Sequence, residues 1–137
     1  LYMSARRKSI WRYDIQKMQI DSRSFYSYNY INTSTNNTYV IFNDSKENHK
    51  NFGKPIEKFN DLRTIKNVSE SVAVFEKLSN GRAETNYLFG RPTNDDYFSF
   101  CKIESSHFRD ETNTYASMMV KRVKKDKKAY ISWVTFE

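Results

Sequence analysis

The stretch from Phe25 to Asp44 reads FYSYNYINTSTNNTYVIFND, and it constrains the fold more than any other part of the chain. Tyr26, Tyr28 and Tyr30 alternate with Ser27 and Asn29. Successive strand side chains point to opposite faces, so the tyrosines share one face of a strand. The polar tract of residues 32–37 breaks the pattern, which resumes as Tyr39-Val40-Ile41-Phe42. Asn43, Asp44 and Ser45 follow, residue types that bond their own backbone and favour turns. A chain written this way is β-rich.

Composition agrees. Aromatic residues make up 16% of the chain, against three glycines and two prolines, and Tyr, Phe, Val, Ile and Thr dominate the set that builds strands. The mean hydropathy of -0.84 is low, but the apolar residues fall in short alternating runs, which disordered chains lack. A length of 137 residues fits one domain with its own core. No run approaches the ~18–20 apolar residues of a membrane-crossing helix. The first residue is Leu1 rather than Met, which leads us to expect a processed chain or the C-terminal portion of a longer one.

About eight strands are expected, at residues 10–20, 25–31, 38–43, 71–78, 82–89, 96–104, 115–123 and 129–136. Asn80-Gly81 suits the positive φ angles of a type I′ turn and marks a hairpin. Residues 46–67 have no sustained strand pattern and read as a long connection, with a helical turn around residues 55–62. Short strands, hairpin turns and little helix give an all-β fold of antiparallel sheets, either propeller-blade-like or a sandwich or barrel.

Catalytic patterns are sparse. His49 and His107 sit in polar, loop-like surroundings, and three glycines do not make a phosphate loop. No nucleophile elbow accompanies the many serines. Cys101 is the single cysteine, which excludes an internal disulfide and reads as a buried structural thiol. Asn43, Asp44, Glu47, Asn48 and His49 offer oxygen ligands of the kind Ca²⁺ accepts, but not at the spacing of a calcium loop, so a self-capped turn is the expectation. No metal or cofactor is expected. The four N-x-[ST] triplets, at Asn32, Asn36, Asn43 and Asn67, are what an Asn-, Ser- and Thr-rich chain produces by chance.

The formal net charge of +7 is unevenly placed. The run KRVKKDKK carries Lys121, Arg122, Lys124, Lys125, Lys127 and Lys128 against one aspartate, a net of +5. Residues 1–23 add six basic residues against Asp14 and Asp21, a net of +4, so the remainder is slightly acidic. A basic hairpin tip is either a solvated turn that keeps an edge from aggregating or a seat for phosphates and other polyanions. Single-stranded nucleic acid is a weaker fit, because the aromatic runs at 25–44 and 97–100 are nearly neutral.

Several short motifs stand in a recognisable order: Trp11, Lys17-Met18-Gln19, Tyr26-Ser27-Tyr28, residues 39–44 with Asn48, the strand around Val72 and Val74, Gly81, and Leu88-Phe89. The order resembles an uncharacterised family of exported β-rich proteins of Bacteroidetes-type bacteria, which are similar to β-propeller chains. Gln16 stands where that pattern has proline. The resemblance implies a location in the periplasm, on the outer membrane surface or outside the cell, and supplies no catalytic residues. Two functions follow as expectations. One is a non-catalytic binding or scaffold module of the envelope, contacting other protein chains or the rest of a longer polypeptide through Tyr26, Tyr28, Tyr30, Asn43, Asp44 and Asn48. The other is polyanion binding through the basic hairpin.

Overall fold

The computed structural model describes residues 15, 27–35, 37–54, 58, 62–65, 70–79, 82–90, 100–123 and 125–137. Seven strands lie among them: β1 (Tyr28–Asn32), β2 (Thr38–Ser45), β3 (Ser71–Ser79), β4 (Arg82–Tyr87), β5 (Phe100–Arg109), β6 (Thr114–Val123) and β7 (Asp126–Thr135). They form two antiparallel sheets, β1-β2-β3-β4 and β5-β6-β7, each in sequence order. Neither closes into a barrel or propeller among the described residues.

β2 is buried on both faces, which explains why residues 39–42 form a continuous apolar run rather than an alternating one. Odd-numbered side chains face the second sheet: Ile31, Tyr39, Ile41 and Ala73 join Cys101, Ile103, Tyr115, Met119 and Phe136 in one core. Tyr39, Phe75 and Phe136 close one end of that core, with ring centroids 4.3 Å apart for Tyr39–Phe136 and 5.5 Å for Tyr39–Phe75. Val40, Phe42, Val72 and Val74 face the other way and are covered by Ile15, Phe52, Leu78 and Tyr87. The outer face of the second sheet has a smaller cover, where Ile65 packs on Phe100.

Several boundaries differ from the sequence expectation. The first tyrosine strand is described from Tyr28, and β2 runs on through Asn43, Asp44 and Ser45 instead of turning there. Those three residues keep the ladder with Ala73, Val72 and Ser71, and their side chains find partners that hold them extended. A 3₁₀ segment at Lys46–Asn51, not expected from the sequence, has its first turn capped by the Ser45 hydroxyl, 3.3 Å from the Glu47 N–H. Of the helical turn expected around residues 55–62, residues 55–57 and 59–61 lie outside the described residues. Residues 10–14, 16–20 and 96–99 of the expected strands lie outside the described residues, as do Asn80 and Gly81. The β3–β4 register pairs Ser79 with Arg82.

His107 is not in a loop but in β5, which continues to Arg109 through a shift of register between Lys102 and Ser106. The Ser106 hydroxyl donates to the Ile103 carbonyl at 2.6 Å within this bulge. The lysine-rich segment is also more regular than a turn. Lys121 pairs with Lys128 and Arg122 with Lys127 inside the β6–β7 ladder, which ends at Val123 and Asp126. At the far end of the same sheet, Asn113 follows the 3₁₀ turn Asp110–Thr112 with φ 48°, the left-handed conformation that Asn tolerates.

Phe42 is buried at the centre of β2 with its ring centroid 5.5 Å from that of Tyr28. Truncation to alanine removes contacts that no neighbour replaces. Phe42→Ala is expected to lower stability by roughly 3–5 kcal/mol, measured as the shift in urea midpoint at constant slope. A change below about 1 kcal/mol would show that the site collapses freely or is not part of the core.

Candidate functional site

Three surfaces need weighing: the segment around Asn43, the tyrosine face of β1, and the outer face of the β5-β6-β7 sheet.

Asn43, Asp44 and Asn48 are buried, so a partner does not reach them. Asn43 donates through Nδ2 to the Cys101 carbonyl and accepts at Oδ1 from the Cys101 N–H, both at 2.7 Å. Its carboxamide acts as an extra peptide unit that ties β2 to β5 across the two sheets. Asn48 repeats the device: Oδ1 accepts from the Arg63 N–H at 2.7 Å and Nδ2 donates to the Arg63 carbonyl at 3.0 Å. Asn48 Nδ2 also donates to Asp44 Oδ1 at 2.8 Å. The amide atoms that would ligate a hard cation are thus engaged with backbone, and among the described residues no His, Cys, Asp or Glu cluster is placed to hold a metal. Glu47 and His49 are exposed on the 3₁₀ segment. Burial also removes Asn43 as a glycan acceptor.

Tyr28 and Tyr30 share a face, the outer face of the first sheet. Tyr28 is 44% exposed and Tyr30 61%, while Tyr26 lies outside the described residues. Of the tyrosines expected to meet a partner, Tyr28 is half-covered and Tyr30 is the more open. Burial, followed by the Glu76 and Asp44 carboxylates, raises the Tyr28 phenol pKa above the ordinary 10.0. Asn29 points the opposite way and donates to Ser106 Oγ at 2.7 Å, a second tie between the sheets. A cleft of about 610 Å³ runs beside β1 and is lined by Tyr30, Asn32, Ser34, His107 and Asp110 among others.

The outer face of the second sheet went unrecognised in the sequence. Register places Ala116, Met118 and Val120 of β6 beside Trp133, Ile131 and Ala129 of β7. Trp133 is 70% exposed and Ile131 67%, and Met118 is exposed beside them. Residues 129–136 alternate as a half-buried strand should, and both of its faces are apolar; that was the available signal. A cleft of about 530 Å³ lies between Leu88, Phe89 and Gly90 on one side and residues 131–134 on the other. Its wall of four consecutive β7 residues means that it opens against the strand's edge rather than one face. Lys125, Lys127 and Lys128 are exposed at the hairpin tip. Arg122 and Lys121 follow in the β6 ladder, and Lys124 lies outside the described residues.

Cys101 has none of the surroundings of a nucleophile. Its thiol donates to Ser117 Oγ at 3.0 Å, and Ser117 passes a hydrogen bond to the Lys102 carbonyl at 3.1 Å. Burial raises the thiol pKa more than its bonds to Ser117 and Tyr115 lower it. Burial likewise raises the Tyr115 phenol, with the neighbouring Cys101 adding to the rise. Both groups have folded-state values above their unfolded ones. Their contribution to stability is complete at neutral pH and is lost as pH rises past 9.0 for the thiol and 10.0 for the phenol.

Two outcomes follow. Thiol reagents are expected to leave Cys101 unmodified in the folded chain and to label it on unfolding, with the unfolding midpoint falling as pH climbs above about 9; rapid labelling of folded protein at neutral pH would contradict this. Asn43→Asp replaces the Nδ2 donor with an oxygen facing the Cys101 carbonyl, so the neutral acid is the form the fold accepts. The variant's carboxyl pKa rises on folding. Its deficit is expected to be largest at neutral pH and to shrink as pH falls toward the ordinary aspartate value of about 3.9. A deficit independent of pH would mean that the amide donor is dispensable.

No protein-family model, curated protein or solved structure matches this chain.

Proposed function

We propose that this chain is a non-catalytic binding or scaffold module, a two-layer β-sandwich that presents the outer face and free side of its second sheet to protein. One observation supports it above others. A solvated sheet face normally alternates toward polar residues, yet here Trp133, Ile131 and Met118 stand exposed together. The sandwich reading rests on the two sheets facing each other across a shared core, whereas the four-stranded meander alone has the connectivity of a propeller blade. The non-catalytic reading rests on the sequence, which carries neither a nucleophile elbow nor a phosphate loop. The envelope location and the kinship with exported β-rich proteins rest on the motif order from Trp11 to Leu88-Phe89.

Photo-crosslinking tests the surface. A photoreactive residue at 131 or 133, in cells that make the protein, is expected to give light-dependent adducts, and one at exposed Glu84 is not. Equal yields from all three positions would overturn the assignment. The exposed Lys125, Lys127 and Lys128 favour polyanion binding as a second reading. Binding to single-stranded DNA would then weaken with salt, each lysine replaced by glutamine reducing the log–log slope by about 0.7. A slope indifferent to those replacements would remove the hairpin from consideration.

A further inference from the structure

The second sheet is charged in opposite senses at its two ends. Lys121, Lys125, Lys127 and Lys128 stand at the β6–β7 tip. At the other end, Thr114 pairs with Thr135, the 3₁₀ turn bearing Asp110 and Glu111 leads into β6, and Glu137 follows β7, three acidic residues against Arg109, which pairs with Glu111 at 3.7 Å. Ten residues of strand separate the ends, roughly 33 Å, several Debye lengths at physiological salt. Between Lys128 and Glu137 the sequence AYISWVTF holds no charge. This is the last strand of its sheet, and among the described residues it pairs with β6 and no other strand. Natural edge strands usually carry a lysine, a proline or an inward-pointing charge that discourages pairing. From residue 129 onward this one has none.

We propose that two copies of the chain join along β7, antiparallel about a two-fold axis, to make one continuous six-stranded sheet. The proposal rests on the reading of this surface as a contact site and names its occupant. Facing side chains in an antiparallel pair lie on the same side of the sheet, so a two-fold axis requires a residue to face its own copy. Centring on Ile131 satisfies size and charge together. Ile131 meets Ile131 of the second copy, Trp133 meets Ala129, Lys127 meets Thr135, and Lys125 meets Glu137. No like charges face each other in this register. The basic tip of each copy comes beside the acidic end of the other. Tyr130 of the second copy stands opposite Ser132, on the side where Leu88 and Phe89 wall the cleft of about 530 Å³. Trp133 and Ile131 of both copies then form one apolar stripe with an aromatic anchor at each end.

Sedimentation of the purified 137-residue chain over a range of concentrations tests this. A monomer–dimer equilibrium that weakens with added salt is the expected result. A monomer at every concentration overturns the dimer, and light-dependent adducts to another protein from position 133 would in that case leave the contact surface standing with a different occupant. The double variant Ile131→Lys, Trp133→Lys places four extra charges at the junction on side chains that are exposed in the single copy. It is expected to keep its unfolding midpoint and to weaken the dimer by roughly 30-fold or more, the loss typical of a central anchor residue. An undiminished dimer would show that the copies meet elsewhere. The register is read by cysteine. Oxidised Ile131→Cys is expected to form a covalent dimer, whereas Ala129→Cys, which faces Trp133, is not. The reverse pattern would exclude a pairing centred on Ile131.

Discussion

The pair of hydrogen bonds between the Asn43 carboxamide and the backbone of Cys101 fixes how the two sheets meet. Sheets that pack through apolar side chains alone can slide, because dispersion and water exclusion are not directional. A buried carboxamide accepting and donating at 2.7 Å sets one position. It also satisfies an N–H and a carbonyl that burial would otherwise leave costly. Once β2 and β5 are held there, the other asparagine ties fall into place along the same seam. Asn29 reaches Ser106, and Asn113 bonds reciprocally to Ser34 at 3.0 and 2.8 Å. Cys101 then lies between Asn43 and Ser117, with its thiol and its backbone both bonded.

This arrangement separates what the sequence revealed from what it concealed. Alternation of Tyr, Val and Phe with polar residues identified most of the seven described strands, because period-2 burial is written directly into residue order. Strand ends were less legible. Asn43, Asp44 and Ser45 look like a turn by local preference, and they are strand because the ladder with β3 continues through them, with Asn43 bonded to Cys101 58 residues away. Local propensity has no access to such contacts. The same blindness made Asn43, Asp44 and Asn48 look like surface ligands. A polar residue bonding a backbone amide in the interior and one awaiting a partner have the same letter. Lys127 and Lys128 were read as turn for a related reason: charge suggests a loop, but hairpin ladders extend through charged residues once beyond the core.

The candidate surface was hidden by a different ambiguity. Residues 129–136 alternate well, which marks a strand but not which of its faces is covered. Both faces of AYISWVTF are apolar enough to be buried. In β2 the equivalent ambiguity resolves to burial on both sides, since Ile15 and Phe52 cover the outer face. In β7 it resolves to burial of Phe136, partial cover for Ser132 and Val134, and exposure of Ile131 and Trp133. What lies over each face decides the difference: Ile15 and Phe52 cover the outer face of β2, whereas Met118 of the inner strand β6 is exposed beside Ile131 and Trp133.

The two terminal strands β4 and β7 show how differently one chain treats its sheet margins. β4 places exposed Arg82, Glu84 and Asn86 at alternate positions, with Ala83 and Thr85 buried on the face turned away from the second sheet. A second strand laid beside it would have to accommodate both charges, so β4 discourages pairing in the ordinary way. β7 gathers its charges at its first residues, Asp126, Lys127 and Lys128, and has none thereafter until Glu137. Had the lysines served only to keep the margin soluble, spacing along the strand would protect it better than clustering at one end. Clustering leaves the apolar half open while giving the sheet a direction, positive at the hairpin and negative at residues 110, 111 and 137. A directional charge pattern beside an apolar strand orients whatever approaches it.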